Sequence, residues 1–187
     1  MSLINYPHYV RINGKKVKIN TDTKTCLRAM QVADDETIGE HERGLAIVYI
    51  MYSFIPDIEE AHDYLEKAIK FLQCGKEASN NDSTAEEADM DIIYDLPYIN
   101  ASFMSDYHID LSQNNMHFWQ FCNLITGLTD KCVLNRIRDL RALDVKDFDK
   151  SQRAKLIKAK AQVALPQKVS TEEQERIDFI DSIWGTG

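Results

Sequence analysis

Asp106, His108 and Asp110 alternate in the run Asp106-Tyr-His-Ile-Asp110, and His117 follows shortly after. Carboxylate oxygens and imidazole nitrogens together make mixed-ligand sites for divalent cations, so metal binding is the chemistry these four residues could do. The spacing is a weak signal for it. At a helix end a carboxylate such as Asp110 caps the next turn, and histidines beside it face solvent or fill a polar niche. The sequence therefore assigns these residues structural work, with no metal and no catalytic residue.

Other familiar chemistry is not written in the chain. The glycines at 14, 39, 44, 75, 127, 185 and 187 form neither a dinucleotide loop nor a phosphate-cradling loop. No Gly-x-Ser-x-Gly elbow and no His-Glu-x-x-His helix occurs. Cysteines stand singly at 26, 74, 122 and 132, which favours four buried free thiols over zinc clusters or disulfides. The expectation is a protein that is not an enzyme and holds no cofactor.

Binding is the remaining chemistry. Phe118, Cys122, Ile125 and Leu128 fall on one helical face, which places Trp119 and Phe121 at its flanks and predicts a core with a partly exposed aromatic edge. Arg136, Arg138, Arg141, Arg153, Lys155, Lys158 and Lys160 lie in a basic run between Lys131 and Lys168. Tryptophan and arginine are frequent interface anchors, so Trp119, Arg136, Arg138 and Arg141 are the candidate partner-binding residues.

Charge is segregated along the chain. Residues 1–130 carry 10 basic and 21 acidic side chains, 131–168 carry 11 and 4, and 169–187 carry 1 and 5, within a net charge of −8. Such asymmetry marks either an interaction surface or a basic segment that folds against an acidic one. With the whole chain acidic, a protein partner or an acidic part of the same chain fits the basic run better than nucleic acid does. No run of eighteen apolar residues and no secretory leader pattern is present, which points to a soluble, intracellular protein without a membrane partner.

The elements that must position these residues are mostly helices. Val10, Ile12, Val17 and Ile19 alternate around Asn13-Gly14, a pairing that supplies the positive φ values of a tight hairpin. Thr21-Asp22-Thr23 caps a helix to about Val32, and a second, apolar almost all round, runs from Glu40 through Phe54 until Pro56 stops it. Such a helix belongs at the centre of a core. Asp57 opens a third with Ile58, Ala61, Leu65, Ala68 and Leu72 as its inward stripe, ending at Gly75. Residues 77–95 hold seven acidic and no basic side chains and read as an exposed, mobile linker. Helices follow over 96–107, 115–126, 130–142, 148–164 and 171–183, the last opened by the capping pattern Ser170-Thr-Glu-Glu173. The reading is an all-α fold of seven to nine helices with a short N-terminal β-hairpin. Its domains are an N-terminal unit 1–76, a linker 77–95 and a helical unit 96–187.

The segment Asp95-Leu-Pro-Tyr-Ile-Asn-Ala-Ser-Phe-Met-Ser-Asp-Tyr-His-Ile-Asp-Leu111, with Met116-His-Phe-Trp-Gln-Phe-Cys-Asn-Leu-Ile-Thr-Gly-Leu128, resembles the bacteriophage gene-product-fifteen family of Gram-positive siphophages and prophages. Ile12-Asn-Gly-Lys15, Ile19-Asn-Thr-Asp22, Glu42-Arg-Gly-Leu-Ala-Ile-Val-Tyr49, Ile55-Pro-Asp57, Ala68-Ile-Lys-Phe-Leu-Gln-Cys-Gly-Lys76 and the stretch Arg136 to Val145 resemble it in the same order. Phe118 stands where relatives often carry a second tryptophan. The resemblance implies a tail morphogenesis protein in the host cytoplasm, a tail assembly chaperone that coats the tape-measure protein. Its implied partners are that protein and other tail assembly proteins, with self-association open. The alternative is a structural tail or connector component of the virion. The family supplies no catalytic residue to carry over.

Overall fold

The computed structural model describes residues 5–75, 89–146 and 148–166 of the chain. It begins with β1 (Tyr9–Ile12) and β2 (Lys15–Lys18), antiparallel, with Ile12 opposite Lys15 and Tyr9 opposite Lys18. Asn13 and Gly14 sit at φ 48° and 77°, the two positive values a two-residue hairpin turn requires. The ribbon leans on the helices through Ile12 and Ile19, both buried, as so small a sheet must.

Seven helices follow among the described residues. Helix α1 (Thr23–Ala33) is capped by Asp22, whose carboxylate accepts the Thr25 amide at 2.9 Å. Helix α2 (Glu40–Tyr52) ends short of Phe54, because Ser53 turns left-handed at φ 63° before Pro56 is reached. Helix α3 (Ile58–Leu72) starts after Asp57 and is followed by Gly75 at φ 71°. Then come α4 (Leu96–Tyr107), α5 (Phe118–Thr126), α6 (Val133–Ala142) and α7 (Lys150–Val163). The fold is mostly helical with one N-terminal hairpin, as the sequence predicts. The helix expected over 171–183 lies outside the described residues.

The inward faces differ from the expected ones. Helix α2 buries Ile47, Val48, Met51 and Tyr52 but leaves Tyr49 57% exposed, so it flanks the core rather than occupying its centre. Helix α3 buries Ala61, Tyr64, Ala68 and Phe71, while Ile58, expected inside, is 68% exposed. Helix α5 buries Phe118 and Phe121; Phe121, expected at the flank, is a core residue. Cys26 and Cys132 are buried, whereas Cys74 and Cys122 are only partly so.

Two compact units result, Met1–Ala142 and Leu143–Gly187. The first has one continuous core, from Ile12 and Ile19 through Met51 and Phe71 to Ile99, Phe103, Phe118, Phe121 and Leu134. Residues from both sides of the acidic segment thus share it. Of the expected linker 77–95, residues 77–88 lie outside the described residues. From Asp89 onward, Met90, Ile92 and Ile93 pack against the core, Asp91 accepts the Ile93 and Tyr94 amides (2.8 and 2.7 Å), and Asp95 is fully buried.

In the second unit α7 buries no side chain. Asp149 caps it by accepting the Ser151 and Gln152 amides (2.9 and 3.0 Å). Arg153 donates to the carbonyls of Val145, Lys146 and Phe148, and Lys160 to that of Leu143. The preceding turn is thereby fastened to the helix.

Candidate interaction surface

Asp106, His108, Asp110 and His117 are spent on separate structural tasks. Asp106 accepts the Thr129 amide (2.8 Å) and hydroxyl (2.9 Å) and the Ser105 hydroxyl (2.7 Å). The hydrogen bond from Ser105, followed by those from Thr129, holds its carboxyl below the usual range. His108 is the left-handed residue that closes α4, at φ 57°. Asp110 accepts the Ser112 amide at 2.9 Å and caps the turn after it, and that bond is the leading cause of its lowered pKa. Among the described residues no group of three or more His, Cys, Asp or Glu side chains converges in a way that could hold a metal.

His117 has the most exacting environment of the four. Its Nδ1 accepts the Trp119 amide at 3.1 Å and so caps α5, and its Nε2 lies 2.9 Å from the Pro7 carbonyl oxygen. An amide donor on one nitrogen and a carbonyl acceptor at the other define the neutral tautomer with hydrogen on Nε2. The ring stacks on Tyr6 (centroids 5.0 Å apart) and meets His8 and Phe71 edge-on. Burial lowers its pKa below the usual histidine value.

Trp119 lies half-buried against Phe71, ring centroids 5.5 Å apart, and its indole N–H donates to the Phe71 carbonyl at 2.9 Å. Its polar handle is therefore taken inside the fold. Gly75 lies against the ring edge, where an added Cβ would be 3.2 Å from Cη2. One ring thus joins the end of α3 to the start of α5.

The three arginines of α6 fare differently from one another. Arg141, whose side chain is 8% exposed, forms a two-pronged ion pair with fully buried Asp95: Nη1 to Oδ2 and Nη2 to Oδ1, both 2.7 Å. Its Nη1 also donates to the Asp89 carbonyl at 3.0 Å, and the hydrogen bond to Asp95 raises its pKa further. Arg138 holds the Asp89 carboxylate through Nε (2.9 Å) and Nη2 (2.7 Å), with both side chains substantially solvated. Arg136 is exposed. The structure does not bring Trp119 and the arginines into one shared contact: it engages Trp119 with α3, and Arg138 and Arg141 with the segment leading into α4.

The four-residue set misses these acidic partners. Seven carboxylates without one cation in 77–95, followed by arginines at 138 and 141 on one helical face, are the sequence signal for them. Ser102 adds a second tie: its buried hydroxyl donates to Tyr98 within α4 (2.8 Å) and accepts the Leu134 amide of α6 (2.9 Å). The basic run is in this part a packing device. Apolar surface, by contrast, stands open around the α2–α3 connection, where Phe54, Ile55 and Ile58 are 43%, 57% and 68% exposed.

A family profile described as Bacteriophage Gp15 protein matches residues 4–165. No curated protein and no solved structure matches the chain.

Proposed function

Because the chain belongs to the bacteriophage Gp15 protein family, we propose that it acts in phage tail morphogenesis as an assembly chaperone for the tape-measure protein. The observation that carries this reading is the family match, which spans nearly all of the described structure. The fold supports it. A chaperone for a long helical client works by binding, without a cofactor, and needs a rigid helical scaffold with solvent-facing charge and some uncovered apolar surface. Unit 1 combines a single packed core with exposed Phe54, Ile55 and Ile58. In this reading the protein works in the cytoplasm of a Gram-positive host.

Co-expression with the tape-measure protein of the same phage tests it. Co-purification of the two, together with absence of this protein from purified mature particles, is the expected result. Presence in particles at the stoichiometry of a ring or more would instead establish a structural tail or connector component.

A further inference from the structure

Helix α3 has more apolar surface than its fold uses. Ala61, Tyr64, Ala68 and Phe71 are its buried set. Ile58, Leu65 and Ile69 form a second stripe at helical spacing, with Ile58 68% and Ile69 42% exposed and Leu65 half-buried. Gly44 of α2 faces this stripe: a Cβ there would lie 3.1 Å from Leu65 Cδ2, so the two helices approach closely at that point. On either side they leave a groove of about 610 Å³, with Leu45 and Val48 on one wall and Ile58, Ala61 and Leu65 on the other.

The groove opens within an acidic stretch of the chain, with one carboxylate, Glu40, among its lining residues. Glu40, His41 and His62 line its mouth, and all three are exposed. Glu59, three residues before His62 in the first turn of α3, is exposed too. Across residues 40–66 there are seven acidic side chains and one basic. Unit 1 carries 14 basic and 22 acidic residues, which accounts for the entire net charge of −8, while unit 2 balances 8 against 8.

We propose that the α2–α3 groove docks an amphipathic helix of the tape-measure protein, one that places apolar side chains at i, i+3 or i+4, and i+7 and flanks them with lysine or arginine. An apolar floor between two helices selects a helical apolar stripe, and the excess of carboxylates on α2 and α3, Glu40 at the groove and Glu59 exposed on α3, favours cations beside it over acidic helices. This inference rests on the chaperone reading for the identity of the partner, but the groove itself is defined by the fold. It sets the partner contact on α2 and α3 instead of on α6.

Overlapping peptides tiling the tape-measure protein, titrated against the full-length protein, test the groove. Tiles that are both amphipathic and basic should bind, more weakly as salt rises. Ile58→Asp should weaken them by about tenfold or more, as loss of an interface anchor does. Glu40→Lys with Glu59→Lys should weaken basic tiles as well. Both variants alter exposed positions, and unchanged circular dichroism establishes that they fold. Binding that ignores both variants, or that prefers acidic tiles, would overturn the proposal. So would self-association of the free protein abolished by Ile58→Asp, because a second copy would then be the occupant. If no tile binds while the intact tape-measure protein co-purifies, the groove fails and the chaperone reading stands. Basic tiles that bind without co-purification of the intact protein keep the groove and sink the chaperone reading.

Discussion

Arg141 and Arg138 lie on one face of one helix and both meet a carboxylate, yet burial separates what each contributes. The Arg141–Asp95 pair has 8% and 0% side-chain exposure, against 38% and 46% for Arg138–Asp89. Removing one partner of a buried pair strands the other charge and costs about 3–5 kcal/mol, whereas an exposed pair is worth about 0.2–1 kcal/mol. Arg141→Ala should therefore lower the urea midpoint sharply and Arg138→Ala barely; equal losses would contradict the assignment. His117 supplies a second residue-scale test, through pH. Its folded pKa is lowered by burial, so the unfolded chain takes up a proton near pH 6.5 and the folded chain only at lower pH. Stability is thus complete above about pH 6.5 and declines as pH falls toward the lowered folded value. His117→Asn keeps an acceptor that caps α5 but does not titrate in this range. Urea midpoints at about pH 7.5 and pH 5.5 should differ less in this variant than in the native protein, and an unchanged difference would exclude His117 as the source.

Helix boundaries were legible in the sequence because caps and turns are local. Asp22, Asn13-Gly14 and Gly75 each act within a few residues of themselves, and the hairpin, α1 and the end of α3 stand where they indicate. Which face of a helix points inward depends on neighbours distant in sequence. The periodicity of α3 fits the stripe from Ile58 to Leu72 as well as the buried set from Ala61 to Phe71; packing by β1, α2 and the Trp119 ring selects the latter. The partners of the α6 arginines depend on distance in the same way, since Asp95 and Asp89 lie 46 and 49 residues before Arg141 and Arg138. Gly75 illustrates both kinds of information. Its φ of 71° is a local requirement, and the Trp119 ring 3.2 Å from its would-be Cβ is a long-range one. Gly14, at φ 77° with open space around it, has only the first. Alanine at Gly14 should cost about 1–2 kcal/mol, the penalty of a left-handed L-residue. Alanine at Gly75 should cost more and shift Trp119 emission. Equal costs with unchanged emission would mean that the ring yields freely.

At the scale of the whole chain, the buried apolar residues of the described structure all fall between Ile12 and Leu134, and α7 contributes none of them. A domain of about 140 residues can bury roughly two thirds of its unfolded surface, enough for a cooperative core. A chain ending at Ala142 keeps that core, the Asp95–Arg141 pair, the Ser102 tie and the α2–α3 groove. It also keeps the full net charge of −8, since residues 143–187 are balanced. The truncated protein should therefore unfold in one cooperative transition. Loss of the transition would show that residues 143–187 supply stability to unit 1. The same truncation separates two electrostatic readings of the molecule. Helix α7 carries five basic and no acidic side chains, so a client held by cations of α7 would be acidic, whereas a client held at the groove must be basic. If residues 1–142 bind basic amphipathic tiles as tightly as the full chain does, recognition resides in unit 1. Binding that requires residues 143–187 and prefers acidic tiles would move it to unit 2.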